Sequence, residues 1–235
     1  MSVPVITVDG PSGVGKGTLA MALARRLGWQ FLDSGALYRL VALRAIDTHT
    51  AFDDVPALTR LAETLQVRFA PGADGEVARV FLGADDGSEL EVSDRLRLEQ
   101  TGEAASQVAP HPPVRAALLE RQRAFASAPG LVADGRDMGT TVFPSAPLKI
   151  YLTASAEERA KRRAKQLKSK GVEASIRDLQ REIEARDARD SGRSASPLRP
   201  ADDACLIDTS TLDANAVLDQ VLSHAAERGL LSSAH

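Results

Sequence analysis

Hydrophobic and polar positions along this chain switch between two periods, and the switches predict an α/β protein. The run Val3 to Val8 is rich in β-branched residues and almost wholly apolar, which is typical of a strand buried on both faces of a parallel sheet. Apolar residues then repeat at helical spacing from Lys16 to Leu27, and Gly28 follows as a stop signal. The run Trp29 to Leu32 predicts a second strand, and Ala36 to Asp47 predicts a second helix. This order is that of a βαβ unit.

Shorter alternating runs between residues 65 and 92 predict a small antiparallel sheet inserted into this α/β protein. The strand-like runs are Gln66 to Phe69, Val77 to Leu82 and Leu90 to Val92, with turn signals at Pro71 to Gly75 and Asp85 to Gly87. Helical patterning then covers Arg95 to Val108 and Val114 to Phe125. Three further strands are predicted at Leu131 to Ala133, Leu148 to Leu152 and Cys205 to Ile207.

The loop after the first strand carries the most specific motif of the chain. Its glycines let the backbone turn tightly and bring N–H groups within reach of phosphate oxygens, at the start of a helix whose dipole favours anions. Lys16 adds a mobile cation, and Thr18 offers a hydroxyl for Mg²⁺. The general pattern places Ser or Thr directly after the Lys, whereas here Gly17 intervenes. An ordinary Gly-rich turn is the alternative interpretation. The expected ATP-binding residues of the loop are Gly10, Pro11, Ser12, Gly13, Val14, Gly15, Lys16, Gly17 and Thr18.

Composition and charge narrow the classes of partner. A net charge of −3 argues against general affinity for nucleic acid or an anionic membrane. No apolar run approaches the roughly 20 residues that cross a bilayer, and no secretory or transit segment is visible. The single Cys205 cannot form an internal disulfide, which fits a reducing compartment. We therefore expect a cytoplasmic protein, and a monomer because no long heptad pattern is present.

Acidic residues close four of the predicted strands, namely Asp9, Asp33, Asp134 and Asp208. Ligands of parallel sheets bind outside the carboxyl ends of the strands, so these positions are candidates for chemistry. Asp134 has two interpretations. It is either an acidic group near Mg²⁺ or its waters, or a cap of a helix or turn.

The Gly-Lys-Gly-Thr ending of the loop and five further motifs carry a resemblance to a known family. The ending resembles that of nucleoside monophosphate kinases, whose second motif follows the second strand, where this chain has Asp33 to Arg39. Further motifs narrow the resemblance to the bacterial cytidylate kinase family, and it runs over nearly the entire chain. These motifs are Ala104 to Ala109, Val114-Arg115, Ala133 to Thr140 and Ala185 to Asp190.

The resemblance implies a fold and a domain organisation. The fold is a P-loop three-layer α/β architecture with a central parallel sheet of about five strands. The chain is then a single kinase domain over residues 1–235, with a β-rich NMP-binding insertion at 54–95 and a short helical lid at 155–195. Between Glu157 and Arg199 the sequence has thirteen Lys or Arg against eight Asp or Glu. A solvated helix with compensating ion pairs is the other explanation of that basic stretch.

The resemblance also implies a reaction, in which the γ-phosphoryl group of ATP passes to CMP or dCMP with Mg²⁺. The attacking phosphate oxygen is already ionised near neutral pH, because the second phosphate pKa is about 6, so no general base is needed. The reaction needs in-line positioning of two polyanions and neutralisation of the transferring group. Arginine suits both tasks, because it is always charged and bidentate.

Site residues follow from these two arguments together. The expected catalytic residues are Lys16, Arg39, Arg136, Arg159 and Arg193, and Mg²⁺ is expected near Thr18 and Asp134. The expected CMP-binding residues are Ser34, Gly35, Arg39, Ser106, Arg115, Arg136, Asp137, Arg186, Asp190 and Arg193. In the lid, Arg159 and Arg163 are assigned to ATP and Arg162 lies within about one turn of them, but which of the three reaches the donor phosphates stays open. By spacing alone, Arg186 and Asp190 are an i,i+4 ion pair.

Choice of base rests on two residues that the resemblance supplies. Cytosine presents an amino donor at N4 beside acceptors at N3 and O2, which a carboxylate and an arginine would complement. The resemblance puts Asp137 and Arg115 in these roles, with Ser106 adjusting the fit. Two alternatives remain at this stage: a kinase for another monophosphate such as UMP or AMP, and a nucleotide switch that hydrolyses ATP and acts through a partner.

Overall fold

The computed structural model describes residues 3–70, 79–83, 87–169, 171–192 and 196–231. The strands in these ranges are β1 (Val5–Asp9), β2 (Gln30–Asp33), β3 (Val67–Ala70), β4 (Arg79–Gly83), β5 (Glu89–Glu91), β6 (Leu131–Asp134), β7 (Leu148–Thr153) and β8 (Cys205–Asp208). The helices are α1 (Lys16–Leu27), α2 (Ser34–Asp47), α3 (Val55–Glu63), α4 (Ser93–Arg97), α5 (Glu99–Val108), α6 (Pro112–Ala124), α7 (Ala156–Lys168), α8 (Ile176–Ser191) and α9 (Ala214–Glu227), with a π-helical turn at Met138–Val142. The chain divides into two compact units, Met1–Gln30 with Ser127–His235, and Phe31–Ala126.

A five-stranded sheet in the order β2-β6-β1-β7-β8 is built mainly from the first unit. Its central strand β1 pairs in parallel with β6 on one side and β7 on the other, and every residue of β1 is buried. The apolar composition of these strands is explained by this burial on both faces. The predicted α/β class and the parallel sheet of about five strands are confirmed.

Helix α1 has the bounds that the sequence pattern predicts. It begins at Lys16 directly after the loop, and its apolar face packs against β6 and α9. Gly28 ends it in the left-handed conformation, with φ 65°, which glycine adopts without a steric penalty. The strand β1 and the helix α1 therefore fix both ends of the Gly-rich loop.

The second unit contains the small antiparallel sheet that the alternating runs predict. Its order is β3-β4-β5, with both pairings antiparallel. The proposed turn at residues 71–75 and the first two residues of the turn at 85–87 lie outside the described residues. In the same unit, α2 packs against α5, and α3 packs against α6.

Two local features of the second unit differ from the pattern. The helical stretch from Arg95 to Val108 is two helices, because Leu98 has extended backbone, with ψ 142°, and separates α4 from α5. Helix α3 was not predicted from the sequence, although Asp54 caps it by accepting from Ala57 N–H at 3.0 Å. Its pattern is short, since within these nine residues only Leu58 and Ala62 are buried.

Within the described ranges, no helix combines the length and apolar character needed to cross a membrane.

Candidate functional site

The Gly-rich loop of the first unit has the backbone geometry of an anion site. At Gly10, with φ 144°, a β-carbon would lie 2.3 Å from the carbonyl oxygen of Leu152, so no other residue fits there without a shift of the backbone. Gly15 is the N-cap of α1 in the left-handed conformation. Because this cap is glycine, no side chain of its own occupies the N–H groups of the first helical turn. These groups and the positive end of the helix dipole favour a bound phosphate.

Side chains from three places hold the carbonyl groups of the loop. Lys16 Nζ donates to Pro11 O at 2.8 Å, Arg159 Nη1 donates to Ser12 O at 3.1 Å, and Thr209 Oγ1 donates to Val14 O at 3.2 Å. The donors belong to α1, to α7 and to the residue directly after β8. With these carbonyls bound on the protein side, the backbone N–H groups are what the loop offers to an anion.

Lys16 is buried, with 7% of its surface exposed. Burial lowers the pKa of its ammonium to about 7, and the positive charge of Arg136 lowers it further, while Asp134 and Asp9 oppose the shift. The folded protein therefore holds a cation that is poorly compensated. A polyphosphate in the loop would relieve this imbalance.

Asp9 ends β1 and is also buried. Its Oδ1 accepts from Met138 N–H at 2.9 Å and its Oδ2 from Gly139 N–H at 2.8 Å. Burial raises the pKa of Asp9 to about 6 against the opposite effect of these two hydrogen bonds. The carboxylate thus holds the π-helical turn, and with it the preceding Arg136 and Asp137, at the carboxyl edge of the sheet.

Asp134 lies beside the glycine that follows the loop lysine. Its Oδ2 lies 3.4 Å from where a β-carbon on Gly17 would be. Asp134 is also one of the negative charges that raise the pKa of Lys16. The carboxylate therefore lies beside the beginning of α1.

The three arginines of the expected lid have different environments in α7. Arg159 is buried and donates to Ala154 O, to Ser12 O and to Asp187 Oδ2. Arg162 donates to both the hydroxyl and the carbonyl of Thr209. Arg163 is exposed and makes no hydrogen bond or ion pair with the residues that the structure describes. Arg159 therefore binds the loop directly at Ser12, and Arg162 is linked to it through Thr209, which donates to Val14 O.

Helix α8 brings further predicted residues to the same unit. Asp190 is buried and pairs with Arg136 Nε at 3.0 Å. Arg186 is close enough to Lys16 to lower its pKa. The predicted Arg193 lies outside the described residues.

The predicted residues of the second unit form contacts of their own. Arg39 Nη1 donates to Leu96 O at 2.6 Å, and a β-carbon on Gly102 would lie 3.5 Å from the Arg39 guanidinium. Ser106 Oγ donates to Gly102 O at 3.1 Å. The Arg115 guanidinium lies 5.6 Å from the Tyr38 ring centroid. Arg39 and Ser106 are thus held around the same turn of α5.

Ser34 and Gly35 begin α2. Ser34 Oγ donates to Gln122 Oε1 at 2.6 Å, and both residues are buried. The neighbouring Asp33 caps the helix by accepting from Ala36 N–H at 3.0 Å. A side chain at Gly35 would approach this carboxylate, since its β-carbon would lie 3.2 Å from Asp33 Oδ1.

The sequence-predicted residues are therefore distributed over both units. The first unit holds the loop residues 10–18 together with Asp134, Arg136, Asp137, Arg159, Arg163, Arg186 and Asp190, and the second holds Ser34, Gly35, Arg39, Ser106 and Arg115. Three residues with contacts to them, Thr209, Asp187 and Gln122, were missed. For Thr209 a signal was available, since it directly follows the strand end at Asp208. Within the described ranges, no group of three or more His, Cys, Asp or Glu is placed to hold a metal ion.

Comparison with known proteins gives a consistent result. A family model described as "Cytidylate kinase" matches residues 6–227. The cytidylate kinase of Pseudomonas paraeruginosa (strain DSM 24068 / PA7) is 54% identical over 228 residues, 97% of each chain. That of Pseudomonas fluorescens (strain Pf0-1) is 55% identical over 227 residues, again 97% of each chain.

A comparison of structures supports the fold alone. The chain is similar to an uncharacterized protein from Eubacterium ventriosum ATCC 27560, with 13% identity and a TM-score of 0.50, over 95% of this chain and 98% of the other.

Proposed function

The chain belongs to the cytidylate kinase family and phosphorylates CMP and dCMP with ATP, and from this premise we propose which of its side chains bind the nucleotides and assist the transfer. The observation that carries the proposal is the construction of the Gly-rich loop. Its carbonyls at Pro11, Ser12 and Val14 are bound by protein donors, and a buried ammonium lies beside it. Such a loop complements the phosphates of the donor nucleotide.

Lys16 is the cation that we assign to the phosphates of ATP. In the empty protein its charge is disfavoured by burial, so a triphosphate gains more from Lys16 than it would from an exposed lysine. Arg163 is the lid arginine that we assign to the same phosphates. It is exposed, whereas Arg159 and Arg162 are already committed to Ser12, Asp187 and Thr209.

Mg²⁺ fits the residues at the beginning of α1. This ion is usually bound by one or two carboxylates together with substrate phosphates, rather than by a cluster of protein ligands. Asp134 supplies a carboxylate beside Gly17, and Thr18 supplies a hydroxyl on the first turn of the helix. When bound, the ion would neutralise charge on the phosphates of ATP.

The acceptor nucleotide is assigned to a set of residues, and each assignment rests on the family pattern. Arg39, Arg136 and Arg193 are proposed for its phosphate, and Arg186 and Asp190 for its sugar. Ser34 and Gly35, at the beginning of α2, are proposed to bind the same nucleotide. The Arg136–Asp190 ion pair keeps two of these side chains ordered before any nucleotide binds.

Cytosine is proposed to bind Asp137 and Arg115, with Ser106 as a further contact. Asp137 is buried, with 6% of its surface exposed, so it offers a desolvated carboxylate to the N4 amino group. Uracil presents an acceptor at that position, and burying it against the carboxylate would cost roughly 1–3 kcal/mol. Selectivity for CMP then comes from one unfavourable contact as much as from one favourable contact.

The transfer itself requires positioning and charge neutralisation. The CMP phosphate is already ionised near neutral pH, because its second pKa is about 6, so the side chains need not remove a proton. Lys16 and the arginines stabilise the negative charge that spreads over the transferring group. Closure of the basic helices α7 and α8 would exclude water and suppress hydrolysis of ATP.

We infer that the protein acts in the cytoplasm and that it is a monomer. Sedimentation of the free protein would test the monomeric state.

One experiment tests the assignment of substrates. ADP formation from ATP and Mg²⁺ is measured with CMP, dCMP, UMP, AMP and no acceptor, using the wild type and Lys16→Met. We expect strong stimulation by CMP and dCMP in the wild type and none in the variant. Equal turnover without any acceptor would contradict the proposal.

A further inference from the structure

Asp187 lies on α8 between Arg186 and Asp190, which are assigned to the acceptor nucleotide. Its ion-pair partner is instead Arg159, which binds the Gly-rich loop at Ser12 O. Its Oδ2 accepts from Arg159 Nη2 at 2.6 Å. Its Oδ1 is buried and has no hydrogen-bond partner among the residues that the structure describes. No part of the proposed function uses this carboxylate.

Each side-chain nitrogen of Arg159 donates to a different acceptor. Nε donates to Ala154 O at 3.1 Å and Nη1 to Ser12 O at 3.1 Å, while Nη2 faces Asp187. The side-chain stem crosses the loop at Gly13, where a β-carbon would lie 3.3 Å from Arg159 Cβ. Because the guanidinium is planar and rigid, fixing two of its edges also fixes the third. The edge that binds Ser12 O is therefore oriented in part by Asp187.

We propose that Asp187 is a positioning residue for ATP, which acts through Arg159 to hold the phosphate loop in its binding conformation. This proposal rests on the proposed function, since it assumes that ATP binds the Gly-rich loop. Asp187 does not touch the nucleotide. It holds a buried guanidinium, and the guanidinium holds the carbonyl of Ser12.

The chemistry of the pair explains why a carboxylate is required here. The Arg159 side chain is only 5% exposed, so its charge needs a nearby anion. Without Asp187, the guanidinium would turn towards other acceptors or towards solvent, and Ser12 O would lose its donor. The loop would then be less ordered before ATP binds. Because ATP binding would have to order the loop, the affinity for ATP would fall.

A second ion pair on the same helix provides an internal comparison. Asp190, one turn further on, pairs with Arg136 rather than with α7. Asp187 and Asp190 thus contact different arginines, and we expect their substitutions to affect different nucleotides. Loss of Asp187 should weaken ATP, and loss of Asp190 should weaken CMP.

The test is a double-mutant cycle on the dissociation constant of ATP, measured by calorimetry with Mg²⁺ present. The proteins are the wild type, Asp187→Asn, Arg159→Met and the double variant. The control is Glu182→Gln, which removes one negative charge from an exposed position of the same helix. We expect Asp187→Asn to weaken ATP about tenfold, with CMP affinity within about twofold of the wild type and no change in the control.

The cycle separates positioning from general stabilisation of α8. If Asp187 acts through Arg159, the double variant binds ATP no more weakly than Arg159→Met alone. Additive losses, or equal losses for ATP and CMP, would overturn the proposal. Arg159→Lys gives an independent result, since it keeps the charge but lacks the fork, and it should weaken ATP while Asp187 is intact. Unchanged ATP affinity in Arg159→Lys would also contradict the proposal.

Failure of the proposed function has a different signature. In that case the wild type would not bind ATP, or Lys16→Met would bind it equally well. If both of those results are as expected and Asp187→Asn still binds ATP normally, the positioning role alone is wrong.

Discussion

Asp134 and Gly17 fit together closely, because Asp134 Oδ2 lies 3.4 Å from the position that a β-carbon on Gly17 would occupy. This distance is ordinary contact for a methyl group, so alanine fits at position 17 in the empty protein. The methyl group would nevertheless cover the carboxylate on the side of α1. The glycine that separates Lys16 from Thr18 thus leaves space around Asp134.

We predict that Gly17→Ala folds at least as stably as the wild type but transfers phosphate more slowly. Alanine favours a helix interior by about 1 kcal/mol over glycine, and part of this gain, at the second residue of α1, should raise the unfolding temperature. Because its Asp134 is partly covered, the variant should require a higher concentration of Mg²⁺ for half-maximal activity, and its kcat should fall roughly tenfold. Thermal unfolding and a Mg²⁺ titration of kcat measure both effects. A variant with normal Mg²⁺ dependence would show that this face of Asp134 does not serve the metal.

The buried ammonium of Lys16 should make the empty protein more stable as pH rises above 7. Its pKa falls from 10.5 in the ordinary state to about 7 in the folded protein. Between these values the unfolded chain holds a proton that the folded Lys16 has lost, so the free energy of unfolding increases with pH. The destabilisation is complete below pH 7 and absent above pH 10.5.

Lys16→Met should therefore unfold at a higher temperature than the wild type at pH 7, without nucleotide, although it no longer transfers phosphate. Each pKa unit corresponds to about 1.4 kcal/mol, partly offset by the unpaired Pro11 carbonyl, so we expect a gain on the order of 2 kcal/mol. The gain should shrink towards pH 10. Lys161→Met is the control, because pairing with Glu157 raises the pKa of that exposed lysine and its loss brings no gain. A pH-independent difference between Lys16→Met and the wild type would contradict this explanation.

The sequence predicted those parts of the site that depend on local pattern. Helix α1 begins and ends where periodicity and Gly28 place it, and the strands that carry Asp9 and Asp134 end at those residues. Each of these features is decided within about ten residues, where propensity and burial agree.

Contacts between distant parts of the chain could not be predicted in the same way. Thr209 binds the carbonyl of Val14 across 195 residues of sequence, and Arg159 binds Ser12 across 147. A basic pattern in α7 predicts that arginines are present. It does not predict that Arg159 is buried and paired with Asp187 while Arg163 is exposed. Only the packing of α7 against α8 separates these roles.

Asp137 provides a test of base selectivity. Asp137→Ala should reduce the preference for CMP over UMP by roughly ten- to a hundredfold, because an acceptor on uracil would no longer face a buried carboxylate. The value of kcat/KM for CMP should fall and that for UMP should rise or stay constant, with ATP saturating. Equal loss for both acceptors would indicate general damage to the turn that Asp9 holds.

The last prediction separates the lid arginines. Arg163→Ala should leave the free energy of unfolding within about 0.5 kcal/mol of the wild type, because the side chain is exposed and has no partner in the described part of the chain. If Arg163 reaches the donor phosphates in the closed lid, kcat should nevertheless fall by roughly ten- to a hundredfold. Arg162→Ala should show the opposite balance: loss of its bonds to Thr209 should lower stability by about 1–2 kcal/mol, with a smaller effect on kcat. Arg163→Ala with unchanged kcat would return the donor role to Arg159 or Arg162. Arg159 would then have to leave Ser12 and Asp187, or Arg162 would have to leave Thr209, in order to reach the phosphates.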